Sequence, residues 1–174
     1  MRWGATDAEA AGKMYGDRYI PENTVVSTRA ITINAPVERV WYWIAQMGQG
    51  RAGFYSFDWL ENLFAANMQN AEEIHLEWAG IRSGDRFSLQ ENGPFVEVAV
   101  VQAGDMLVML GGWSFYVEAI DETSTRLVVR YASFPLTDWT SRLYYYTIFE
   151  PAHYVMEAGM MLGIKRRAET EAGS

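Results

Sequence analysis

Between Asp85 and Phe134 the chain alternates apolar and polar residues in short runs separated by turn chemistry. The runs are about Arg86–Gln90, Phe95–Gln102, Met106–Leu110, Trp113–Ile120 and Arg126–Phe134. Asn92-Gly93, Gly104-Asp105, Gly111-Gly112 and Asp121–Thr125 lie between them. A period of two sends successive side chains to opposite faces of a strand. Linkers this short join antiparallel neighbours, because a parallel partner needs a long crossover. Val25–Ile33 reads as a sixth strand, with Val26, Thr28, Ala30 and Thr32 on one face and Val25, Arg29, Ile31 and Ile33 on the other.

Helical spacing flanks this meander. After Asn34-Ala35-Pro36, the residues Val37, Val40, Trp41, Ile44 and Met47 fall on one helical face. A second short helix is expected over about Phe57–Ala66, with Leu60, Leu63 and Phe64 as its stripe. Thr137-Asp138 caps a segment running to about Ile148, and Pro151 interrupts or kinks it. Ala152, Val155, Met156, Gly159, Met160 and Gly163 continue the stripe. Residues 1–24 are polar and broken by Gly4, Gly12, Gly16 and Pro21, and read as an arm laid on a single domain of residues 25–174. Within the arm, Thr6 caps a short helix over Asp7–Met14. The expected architecture is α+β. One curved antiparallel sheet wraps a long C-terminal helix, the only element long enough to cover its concave face.

Composition removes several function classes. A net charge of −8 disfavours nucleic acid, which needs a basic footprint. The cluster Lys165-Arg166-Arg167 complements the negative end of a helix. With no cysteine there is no disulfide, thiolate nucleophile or cysteine zinc site, and two histidines make a poor metal binder. No metal and no cofactor is expected. The first residues lack the apolar core of a signal peptide. The most apolar long window, Leu143–Ile164, contains Glu150, Pro151, His153 and Glu157, so stable membrane insertion is not expected and the cytoplasm is the expected location.

The candidate chemistry lies in two places. Gly48, Gly50 and Gly53 fit a G-x-G-x-x-G spacing, with Glu72 and Glu73 about twenty residues on. A helical stripe precedes them where a dinucleotide site needs a strand, so they read as a flexible loop over a cavity entrance. Arg51 in that loop can receive an anionic group or pair with Asp58 or Glu61, and Tyr55 and Trp59 can line an entrance or pack in the core. Glu150, His153 and Glu157 share one helical face at spacings of three and four. They read either as a histidine poised for proton transfer near neutrality or as a surface pairing. His75 sits in a polar stretch and is expected to be solvated, while Arg126 and Arg130 are expected on the convex, watery side of the sheet.

The runs TRAITINAPVERVW, QMGQGRAGFYSFDWLENL, TRLVVR and MEAGMMLGIKRRAE resemble bacterial members of the START-like superfamily, also called SRPBCC or polyketide cyclase/dehydrase-like proteins. The likeness runs in order from about Trp3 to Glu169. It implies a helix-grip fold, with a seven-stranded antiparallel sheet around a long C-terminal helix and a deep hydrophobic cavity between them. The superfamily includes lipid carriers, cyclases, hydrolases, regulators and oxygenase subunits, so its fold alone does not select a function. This chain departs from the branch at Tyr42, where proline is frequent, and at Phe57, where tyrosine is frequent.

An empty cavity of roughly 300 Å³ would cost about 7 kcal/mol at about 24 cal/mol per Å³. That approaches the stability of a whole domain, so such a space calls for a guest or for side chains. The expected function is binding of a small hydrophobic or amphipathic molecule. Its expected contacts are Met47, Arg51, Tyr55, Trp59, Trp78, Trp113, Phe115, Tyr131, Met156 and Met160. One alternative is cyclase, dehydratase or hydrolase chemistry using His153 with Glu157 or Glu150. Another is a regulatory module that receives a protein partner.

Overall fold

The computed structural model describes residues 2–56, 70–90 and 93–170. First come β1 (Arg2–Trp3), α1 (Asp7–Ala11), β2 (Val26–Ile33) and α2 (Val37–Ala45). The meander is β3 (Arg86–Ser88), β4 (Phe95–Gln102), β5 (Met106–Met109), β6 (Ser114–Asp121) and β7 (Ser124–Ala132). Then α3 (Trp139–Tyr144) passes through a π turn at Tyr145–Phe149 into α4 (Glu150–Thr170).

The strands form one seven-stranded sheet in the order β1-β2-β7-β6-β5-β4-β3. Every neighbouring pair is antiparallel except β1 and β2, which run parallel. The short linkers thus produce the hairpins their length demands. The strand absent from the sequence reading is β1, whose two residues are too few to show a period. The helix expected over Phe57–Ala66 lies outside the described residues.

The concave face and two helices enclose the core. From α2 come Trp43 and Ile44, from the sheet Phe87, Leu107, Phe115, Leu127 and Val129, and from α4 Met160, Met161 and Ile164. Gly163 lets α4 press against the loop after α2, since a Cβ there would collide with the Tyr55 carbonyl. Pro151 is the second residue of α4. A proline ring crowds the carbonyl one turn back, and the wider π turn just before it accommodates that crowding.

The arm covers the convex face. Thr6 and Glu9 cap α1 reciprocally, and the helix ends at Ala11, three residues earlier than the expected Met14. Arg126 Nε donates to Glu9 Oε1 at 2.7 Å, and Arg130 Nη1 donates to both Asp17 oxygens at 2.9 Å. The hydrogen bond from Arg126 holds the Glu9 carboxyl down to about 2. Gly16 N–H donates to Tyr116 Oη at 2.8 Å in a gap too tight for a Cβ. Arg126 and Arg130 are therefore on the convex side as expected, but not in water. Arg130 is only 4% exposed because the arm closes over it.

Candidate functional site

Glu150, His153 and Glu157 turn toward β2, where Arg29 meets them. Arg29 projects from the same face of the strand as Ile31 and Ile33, and its side chain is 1% exposed. Its Nη2 donates to Glu150 Oε1 at 2.7 Å, and its Nη1 donates to Ser27 Oγ at 3.3 Å and forms an ion pair with Glu157. The same Nη1 lies 3.4 Å from His153 Nδ1. The remaining carboxylate oxygens are also engaged. Tyr145 Oη donates to Glu150 Oε2 at 3.0 Å, and Trp113 Nε1 donates to Glu157 Oε1 at 3.2 Å. Aromatic rings surround the group, with Tyr131 4.0 Å and Phe149 5.6 Å from the His153 ring, centroid to centroid.

This arrangement corrects both readings of the trio. It is not a surface pairing, since Glu150 and Glu157 are each 4% exposed. Nor is the histidine poised near neutrality between carboxylates. Burial, and then the Arg29 charge, push the imidazole down to about 3. The guanidinium facing Nδ1 makes that atom the acceptor, which leaves the ring proton on Nε2. Its acceptor lone pair thus faces Arg29. Burial raises the Glu157 carboxyl against the opposing pull of Arg29. The Tyr131 phenol is pushed up to about 12 by burial and then by the two carboxylates. Burial, reinforced by Glu150, raises that of Tyr145 as well.

Over this cluster lies an open cleft of about 510 Å³, lined by Arg2, Arg29, Tyr146, Glu150, Pro151 and Tyr154. The edge of Trp3 meets the Tyr154 ring at 6.5 Å, so β1 of the arm helps fix one wall. Arg2 at the rim is ion-paired with Asp7.

The other expected contacts divide. Tyr131 and Trp113 belong to the cluster. Met47 and Phe115 are 0% exposed, Tyr55 2% and Met160 3%, so these four are packing, not the lining of a hollow. Tyr55 Oη donates to the Trp43 carbonyl at 2.9 Å, and the residue holds a positive φ of 60°. Arg51 donates to the carbonyls of Ala45 and Trp78, which staples the glycine loop instead of presenting a free cation. That loop is a tight hairpin, with Gly48 and Gly53 exchanging hydrogen bonds at 3.0 and 3.1 Å. Trp78 is half-buried and packs at a tilt against His75, with ring centroids 4.4 Å apart, so His75 is not freely solvated. Met156 is half-buried on α4, and Trp59 lies outside the described residues.

Sequence reasoning missed Arg29, Tyr145, Tyr146 and Tyr154. A signal for Arg29 existed, since it was the one charge on a strand face shared with Ile31 and Ile33. Among the described residues no three acidic or histidine side chains could hold a metal, and no helix is long and apolar enough to cross a membrane.

No family model matches the sequence, and no curated protein is significantly similar to it. The structure is similar to the solution structure of the Aha1 dimer from Colwellia psychrerythraea, with 15% identity over 83% of this chain and 96% of that one and a TM-score of 0.51. Looser likenesses are found to CalC, a self-sacrificing resistance protein from Micromonospora echinospora (14% identity, 86% and 97% covered, TM-score 0.49), and to a polyketide cyclase-like protein from Corynebacterium glutamicum (14%, 87% and 96%, 0.42). Identity this low speaks to architecture alone. With a seven-stranded curved sheet gripping a long C-terminal helix, the chain has a helix-grip α+β fold, the architecture it shares with that Aha1 structure.

Proposed function

We propose that this protein binds a small amphipathic molecule in the cleft over Arg29, between the β1–β2 edge of the sheet and the start of α4. The carrying observation is the buried ionic cluster on the cleft floor. Taking a guanidinium and two carboxylates out of water costs several kcal/mol per ion, and apolar replacements of similar size are often as stable or more so. Packing therefore gives no reason for the cluster. Buried charged groups opening onto a concavity are a mark of a binding site. The rings of Tyr146 and Tyr154 would take the apolar part of the guest, with the polar part against Glu150 and Arg29.

The test is native mass spectrometry of the protein as isolated, followed by thermal melting against amphiphiles released on denaturation or supplied as a panel. A ligand at about 100 times its dissociation constant adds about 2.7 kcal/mol, a rise in melting temperature of about 5–11 °C for a chain of this size. Tyr154→Ala should lose most of that rise. A flat panel, with nothing released on denaturation, would remove the proposal.

A further inference from the structure

We propose that two copies of this chain pair antiparallel along the outer face of α3 and α4, about a two-fold axis at Pro151. The pairing does not depend on a ligand in the cleft.

α3, the π turn and α4 run on as one helix from Trp139 to Thr170, since the joining residues hold helical backbone angles. Its inner side is buried at Glu157, Met160 and Ile164. Its outer side is apolar as well. Trp139, Leu143, Thr147, Pro151 and Val155 follow at intervals of four, with Leu162 seven further on, and all six are exposed. Steps of four overshoot a 3.6-residue turn by about 40°, and the wider π turn takes part of that back, so the row stays on one side. It carries no charged side chain over about 35 Å of helix. A helix apolar on both sides is normally covered on both.

The uncovered area is on the scale of one half of a dimer interface. Trp139 is 73% exposed, and Leu143, Tyr144, Ile148, Val155 and Leu162 between 43% and 59%. At about 200 Å² for a large side chain, these leave roughly 600 Å² open to water. That is the top of the range for the largest patch on a monomer, and most of the roughly 800 Å² that each partner brings to a stable interface.

Shape and charge select a second copy as the cover. Beside Leu162 lies an open hollow of about 420 Å³, lined also by Lys165, Arg166, Glu169 and Thr170. Trp139 stands twelve residues before Pro151, and Leu162 stands eleven after it. A two-fold axis at Pro151 therefore lays the exposed indole of each copy into the hollow of the other, against the Arg166 guanidinium. The same operation brings the Asp138 carboxylate of each copy toward the basic pair Lys165-Arg166 of the other. An anionic lipid surface fits this face less well, because the chain carries a net charge of −8.

Sedimentation velocity of the full chain from about 1 to 500 μM tests the pairing. The expected result is a rise with concentration from the 19.8 kDa chain to twice that mass. Trp139→Ala removes the indole, and Val155→Glu places a carboxylate close to the axis; each should weaken association at least about tenfold. Ile120→Glu adds the same charge at an exposed apolar position on β6 and should leave association unchanged. The chain has no cysteine, so single nitroxides on Thr147→Cys and Thr170→Cys report the geometry of the pair. Antiparallel pairing puts the Thr147 labels within about 25 Å of each other and the Thr170 labels beyond about 50 Å. A monomer throughout the range would overturn the proposal, as would a dimer that ignores Trp139→Ala and Val155→Glu or is weakened equally by Ile120→Glu. Two short label distances would mean parallel pairing and overturn it too. A monomer that instead sediments with phosphatidylglycerol vesicles would assign this face to a lipid surface.

Discussion

Arg29 is the residue on which the cleft floor depends, because it alone in the buried cluster offsets two carboxylates. Arg29→Met strands both of them, and a broken buried pair costs about 3–5 kcal/mol. Neutralising the carboxylates as well, in Arg29→Met/Glu150→Gln/Glu157→Gln, should recover most of that loss, as urea unfolding of the two variants will measure. His153 gives the cluster a pH signature. In the unfolded chain it gains a proton below about 6.5, and in the fold only below about 3. Between those values the unfolded state holds more protons, so stability falls as pH is lowered, by up to about 1.4 kcal/mol per pH unit. Glu157 works in the opposite sense, since its raised carboxyl takes a proton more readily in the fold. His153→Gln should therefore flatten the decline in urea midpoint between pH 6.5 and 4, and an unchanged slope would contradict this account. At this scale the sequence was half legible. The spacing of Glu150, His153 and Glu157 gave one helix face, but their partner lies more than 120 residues away on a strand, a separation that no local pattern encodes.

Elements meet here by close approach and by clamps. Gly163→Ala places a methyl against the Tyr55 carbonyl, where neither α4 nor the positive-φ turn at Tyr55 can readily yield. It should cost more than the about 1–3 kcal/mol typical of overpacking, seen as an earlier midpoint in chemical unfolding. The arm is a clamp of a different kind. Glu9→Gln with Asp17→Asn should release it, and amide exchange should quicken across residues 6–20 with little change in β3 and β4. The meander was readable because alternation and turn residues are local properties. The fate of the Arg126–Arg130 face was not, since the period assigns a face and says nothing of what later lies upon it. The four core positions expected to contact a ligand share that ambiguity, because an apolar stripe looks the same whether it lines a hollow or fills one.

For the molecule as a whole, α4 meets its surroundings through buried ions near both ends, Glu150 and Glu157 toward the start and Arg167 paired with Glu72 toward the finish, with apolar packing between. The apolar stretch is Met160, Met161 and Ile164. Tyr146 and Tyr154 are exposed and lie outside that packing, so on the proposed reading substitutions there should alter ligand binding while shifting the melting temperature of the free protein by no more than a few degrees. The π turn at Tyr145–Phe149 sets the phase of α3 against α4. One residue more or fewer in a helix rotates everything beyond it by about 100°. A single-codon deletion there would re-index Trp139–Tyr144 against Glu150 and Glu157 and leave the methionine packing where it is, so one wall of the cleft can be recut without disturbing the frame beneath it.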